Sequence, residues 1–541
     1  MSKKTKARRG NPAGKAVASG QASAGKAVAG GQPAASKARA DQAPQSDRGR
    51  TEADAIVERV LSSLWSAIAA SDPLRAELET ASCLAIPRVA GQQDPGEIET
   101  FISTVLVDGA ARRHTPDGAA LLRLLMALGT QDTKRAASRA LADLTSSGVY
   151  PPDWVTEIGK VAPGQAWRRY DVFGDDEAIA VTFGYGEAEH GVVVQVDLAG
   201  IPVASAIGVS TNAARLIEAI SGDSEEHDRS EQISLAEARR RLLGPLDRSD
   251  RDPTPDLSTD SLAYLPIARS RVRRLPADDG VPGPVFTAAD RAAAVDEFMK
   301  SPLAAEAVAA DEESTRFWAE VLTGYSSRIP GEPPGQVGPR KIAHLLLGHV
   351  PNTFSVSAAQ RQHLEVAVTA WIRWSAGHRG LDEAATTRLT DVLPEVFGRF
   401  GAAYDDPQAV TARGYLADLA VSNADVSELA GHVARRMFAV PLPDPPDDGG
   451  PVDLSDPDVR RALIETEFAA CTPHAGLAHE DFMAAVQRVI AELWDDDPEE
   501  TFKAARRMFA SGADRHDIIH TLAETPAAPG GQASRTSSAG R

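Results

Sequence analysis

The chain has 541 residues, 43 % of them hydrophobic and 25 % charged, which is room for about two to four ordinary domains. Its net charge of −19 favours solubility and works against general nucleic-acid binding. Two well-separated cysteines, Cys83 and Cys471, argue against a disulfide framework and for a reducing cytoplasm, and no apolar run reaches the roughly 20 residues a membrane helix needs.

The charge is unevenly spread. Residues 1–50 hold eleven Lys/Arg against two Asp/Glu, so this arm carries +9 and leaves −28 for the rest. The arm repeats itself: AGKAVASGQAS is followed by AGKAVAGGQPA, and Lys15, Lys26 and Lys37 recur every eleven residues. Gly and Pro between them oppose a helix, so 1–50 reads as a disordered basic arm. It lacks the apolar stretch of a secretory signal. It offers weak electrostatic contact to nucleic acid or an anionic surface, without an aromatic residue among its lysines to stack a base.

Residues 51–246 open with helices. EADAIVERVLSSLWSAIAA places Ile56, Val60, Leu64 and Ile68 on one stripe, and GAALLRLLMALG and DTKRAASRALADL continue the pattern. After PPDW (151–154) the period changes. AWRRYDVFG, EAIAVTFGYG, GVVVQVDLAG and PVASAIGVS predict four strands over about 166–210, joined by links short enough only for antiparallel neighbours. His190 and Asp197 are the polar residues to watch on this sheet; the plain expectation is that His190 serves the hairpin. Arg168 and Arg169 are expected as solvated strand charges. Gly184 and Gly186 form a GxG without the third glycine and helix of a phosphate-binding turn. TNAARLIEAI and AEARRRLLGPL follow as helices.

From 247 to 284 the chain turns to Asp, Pro, Ser and Thr and reads as a linker. Its basic patch ARSRVRRLP (268–276) is expected to be solvated. Residues 285–440 form a second helical block. There Val366, Ala370 and Trp374 repeat every four residues with Trp371 beside them, a helix core rather than an aromatic cage. His344 and His349 are five apart and do not share a helix face. A second linker spans 441–456, a small helical domain 457–525, and a disordered tail 526–541.

In the 457–525 domain, DDDPEETFKAARRMFA specifies a helix start: Asp497 as N-cap, Pro498 at N1, Glu500 at N3. Gly512 ends that helix, and Asp514 caps the next with Asp517 at N3. Helix punctuation thus accounts for both aspartates of SGADRHDIIH (511–520) but not for its histidines. His516 and His520 are i,i+4 and share a face, with Glu524 one turn on. With His479, they are the candidate ligands of a zinc or iron site, and Glu480 and Glu524 could join them; His474 is a weaker candidate. HDIIH is not the HExxH of a metallohydrolase. The segment from His479 to Glu524 resembles a family of small uncharacterised bacterial helical domains that end in G-x-D-R-H-D-x-x-H. His479, Gly512, Asp514, Arg515, His516, Asp517 and His520 match that pattern. The resemblance brings no established activity; it implies that the histidine cluster is one unit.

No catalytic constellation is complete. There is no GxSxG elbow and no P-loop, and TP between Cys471 and His474 leaves no organised dyad. The sequence therefore predicts an α+β, predominantly helical, multi-domain protein with one small antiparallel sheet and disordered termini. Its expected role is that of a cytoplasmic, non-enzymatic interaction or scaffold protein with protein partners. The alternatives are a metal-binding protein or metalloenzyme built on the C-terminal histidines, and nucleic-acid association through the arm.

Overall fold

A computed structural model describes residues 43–89, 101–222, 227–252, 255–277, 285–326, 329, 331–416, 426–441, 452–469, 471, 478–510 and 513–525. It is α+β and predominantly helical, with one antiparallel sheet. Of the expected basic arm, residues 1–42 lie outside the described residues, as does the 526–541 tail. Residues 43–50 begin the helix Ala43–Ala70, earlier than the apolar stripe alone suggests. Among the described residues no helix is long and apolar enough to cross a membrane.

The sheet comprises β1 (Ala162–Asp171), β2 (Asp176–Tyr185), β3 (Ala188–Asp197), β4 (Val203–Ser210) and β5 (Asp228–Ile233), in the order β4-β3-β2-β1-β5. The four expected strands are present, and every neighbouring pair is antiparallel. β5 is additional. DRSEQI carries one apolar residue, Ile233, so it shows no alternation; its place is set by pairing with β1, where Ala166 faces Ile233. The middle of β2, Ile179 to Phe183, is buried throughout because both faces of the sheet are covered. Helix Ala213–Ser221 lies on one face so closely that a Cβ on Gly191 would sit 2.4 Å from Leu216. Helices Leu235–Arg251 and Thr259–Val272 also pack on the sheet.

That last helix corrects the expected 247–284 linker. Ser258 caps it, Leu265, Ile267, Ala268 and Val272 are buried, and it packs on helix Pro73–Val89 and on β4. The basic patch is not solvated either: Arg269 and Arg271 are buried. Arg269 pairs with Asp250 and donates to the Leu128 carbonyl at 2.7 Å. Arg271 pairs with Glu77. Polar composition misleads here because each buried cation is matched by an acid or carbonyl on another element.

Three hydrophobic cores follow along the chain. The first joins the N-terminal helices to the sheet. The second gathers around Trp318, Trp371 and Phe298, where Phe298 meets Trp371 edge-on at 4.8 Å. In helix Ala358–His378 the expected core stripe holds at Trp374, which is buried, and at Ala370, which packs against the core, with Trp371 buried beside them, but not at Val366. Leu364, Ala367, Val368, Trp371 and Ile372 are buried, whereas Val366 is 41 % exposed.

The third core is larger than 457–525. Tyr415, Ala439 and Val440 belong to it, so the end of the expected 285–440 block packs with the C-terminal helices. Arg436 explains the attachment. It donates from Nε to the Trp494 carbonyl at 3.3 Å, lies 4.6 Å from that indole, and gives a third contact to the Tyr415 carbonyl. The expected linker 441–456 ends within the same core: Leu454 is fully buried, and residues 442–451 lie outside the described residues. Four helices complete the region: Pro457–Phe468, His479–Asp495, Glu499–Ala510 and Arg515–Glu524. The third begins at Glu499, so Pro498 does not occupy its first turn. The fourth is capped as expected, Asp514 accepting from the Asp517 amide at 2.9 Å.

Candidate functional site

The candidate histidines of the C-terminal helices lie in separate environments. His479 and Glu480 open helix His479–Asp495, and both are exposed. His520 tilts against Phe482 with ring centroids 4.6 Å apart, and its Nδ1 is 3.5 Å from Glu524 Oε1. His516 turns to helix Pro457–Phe468 instead and stacks on Phe468, centroids 4.4 Å apart and planes 6° from parallel. Among the described residues no three His, Cys, Asp or Glu side chains form a group that could hold a metal ion. His474 lies outside the described residues.

What His516 does meet was not legible beforehand. Its Nε2 is 3.2 Å from Cys471 Sγ, and its Nδ1 is 3.5 Å from Glu467 Oε1. Glu467 also binds Arg515, the residue before the histidine, so one carboxylate anchors both ends of the contact. Helix Pro457–Phe468 ends at Phe468, and the Cys471 amide donates back to the Phe468 carbonyl at 3.1 Å. That turn brings the thiol over the imidazole. The stack on Phe468 fixes the ring plane, and the carboxylate selects which nitrogen faces it. Burial, with Glu467 second, raises the Cys471 pKa, which favours the thiol form. The sequence places Glu467 and Cys471 four apart, which was a signal. Nothing local links them to a histidine 45 positions on.

A second polar cluster is buried in the first core. Arg271 and Glu77 are both fully buried and form a two-pronged ion pair. Arg271 Nε donates to His190 Nε2 at 3.1 Å, and His190 is stacked between Phe183 and Tyr185. Burial, then the Arg271 charge, pushes the His190 pKa down to about 3. The histidine is therefore neutral and accepts from the arginine. Its role reaches beyond the hairpin, because it joins β3 to helices Thr259–Val272 and Pro73–Val89.

The third arrangement is a cleft between the sheet and the second core, with a volume of about 690 Å³. Arg168 and Arg241 reach it from the first core, and both bind Glu177. Arg168 is thus not a solvated strand charge: its side chain is 15 % exposed and it also pairs with Glu231. From the second core come Glu332 and Arg379. Glu332 receives Lys341 Nζ on both oxygens, at 2.7 and 2.6 Å, yet burial outweighs that cation and lifts its pKa to about 7. Arg379 follows the last turn of helix Ala358–His378. Its guanidinium donates to the Val172 and Val337 carbonyls, and no carboxylate among the described residues is at ion-pair distance from it. Burial lowers its pKa despite the fields of Glu332, Asp171 and Asp175.

Asp197, on the last position of β3, accepts from Arg340 and from the Ala199 amide. It thereby links the end of β3 to helix Pro339–His344. No protein-family model, curated protein or solved structure matches the chain.

Proposed function

We propose that the chain is an interaction protein whose recognition site is the cleft between the sheet and the second core, and that it takes a small anion of the carboxylate or phosphate class. The observation that carries this reading is Arg379. A guanidinium has five N–H donors in a planar fork suited to planar or tetrahedral anions. Arg379 spends its protein hydrogen bonds on neutral carbonyls, lines the cleft, and feels Glu332, Asp171 and Asp175 only through space, with no carboxylate among the described residues at ion-pair distance. An anion arriving there would gain a charge-assisted contact in a partly desolvated place, where such contacts are strongest. The volume of about 690 Å³ lies within the range of small-molecule sites. Arg168 and Arg241 are committed to Glu177, so they shape the wall rather than compete for the ligand.

The test is calorimetric titration of the full-length protein with inorganic phosphate and, separately, with citrate. Binding of at least one is expected, together with a rise in thermal midpoint, because a ligand that prefers the folded state stabilises it. Arg379→Gln should weaken that binding by about tenfold or more, the scale of one charge-assisted contact. Absence of binding by both anions, or equal affinity in Arg379→Gln, would overturn the reading.

A further inference from the structure

We infer that Cys471 is a thiol-modification site, activated by His516 and Glu467, that takes low-molecular-weight disulfides. The three side chains have the geometry of a nucleophile, a base and a group that orients the base: Sγ to Nε2 3.2 Å, Nδ1 to carboxylate 3.5 Å. The cluster is open to solvent, with the His516 side chain 40 % exposed and Glu467 30 %. A small reagent can therefore reach it without unfolding the third core. The other described cysteine supplies the contrast. Among the described residues Cys83 has no histidine contact like that of Cys471; its thiol pKa is raised as well, to about 11, so the contrast lies in the base and not in the direction of the shift.

The step balances with the disulfide as the only co-reactant. The Cys471 thiol proton passes to His516 Nε2 as Sγ attacks one sulfur of the disulfide. The sulfur–sulfur bond breaks and a new one forms to Cys471. The leaving thiolate takes the proton from the imidazolium and departs as a free thiol. Cys471 is oxidised to a mixed disulfide while the departing half of the reagent is reduced. Because the resting sulfur is a thiol, its proton moves during the attack, and the rate depends on a neutral imidazole. Glu467 is a positioning residue: it faces Nδ1, so that Nε2 presents its lone pair to the sulfur.

The experiment uses the full-length protein and oxidised glutathione, with the adduct followed by intact mass and located by peptide mapping. One adduct on Cys471 is expected, forming faster as pH rises from 6 to 8, with Cys83 unmodified in the folded protein. His516→Phe keeps a ring to stack on Phe468 but removes the base. It should slow the reaction roughly tenfold or more and leave only the route through free thiolate, whose rate climbs steeply with pH. Glu467→Gln should give an intermediate rate with a displaced pH profile, a readout that holds even if His516→Phe fails to fold. The proposal is overturned if Glu467→Gln or a folded His516→Phe reacts at the wild-type rate with the wild-type pH profile. Modification of Cys83 as fast as Cys471 would overturn it too.

Discussion

His190 shows how one buried side chain sets a pH dependence. In the unfolded chain an imidazole binds a proton near 6.5, while in the fold burial and Arg271 defer protonation to about 3. Between those values the unfolded state binds more protons, so stability is full above 6.5 and falls as pH drops towards 3. Glu332 has the opposite sign. Its folded pKa is raised to about 7, so its contribution weakens as pH rises from the ordinary carboxyl range to 7. A comparison that leaves Glu332 intact isolates the histidine. His190→Gln retains an oxygen acceptor for Arg271 and removes the titration. In urea unfolding, the wild type should lose about 2 kcal/mol more than His190→Gln between pH 7 and pH 5. Parallel losses in the two proteins would show that His190 does not carry the acid sensitivity.

Secondary structure was legible where one physical signal dominated. β2 to β4 follow from β-branched residues divided by short turns, β1 from Trp167 and Tyr170 ahead of such a turn, and helix Arg515–Glu524 from the Asp514 cap. It was illegible where partners outside the segment decide. Helix Thr259–Val272 looks like linker because its arginines look solvated until Glu77 and Asp250 are brought to them. β5 has no periodicity of its own and exists through β1. The same limit governs the sites. His516 was visible as a candidate, but Cys471 and Glu467 reach it through packing of two helices, and Arg379 is marked by nothing in its neighbours. In helix Ala358–His378 the apolar repeat held at Ala370 and Trp374 and failed at Val366, since tryptophans at 371 and 374 fit two overlapping stripes. The structure makes that difference measurable. Trp371→Ala empties a fully buried site against Phe298 and should cost about 3–5 kcal/mol in chemical denaturation. Val366→Ala, on the exposed side, should stay within about 0.5 kcal/mol. Equal effects would return the helix to the stripe read from sequence.

At the scale of the molecule, the sheet reaches the second core through Phe173 and Val172 of the β1–β2 turn and through polar contacts beside them. Arg340 binds Asp176 and Asp197 across the sheet, and Tyr325 donates to the Ala199 carbonyl at 2.8 Å. Asp175 accepts the backbone amides of Arg340 and Lys341, at 2.6 and 3.1 Å, and so caps helix Pro339–His344 from a different core. These contacts are not equal. The Arg340 side chain is 47 % exposed, and ion pairs of that kind contribute about 0–1 kcal/mol each. Asp175 is 3 % exposed, and removing it strands two amides in a dry place, at about 1–3 kcal/mol for each group left unsatisfied. Between these two, magnitude therefore gives Asp175 the larger share. Scanning calorimetry of Asp175→Ala should show the single transition broadened or divided, with the second core melting first because its helix has lost the cap. Arg340→Ala should keep one transition close to the wild-type midpoint. If Arg340→Ala divides the transition and Asp175→Ala does not, the exposed ion pairs, rather than the buried cap, carry the larger share.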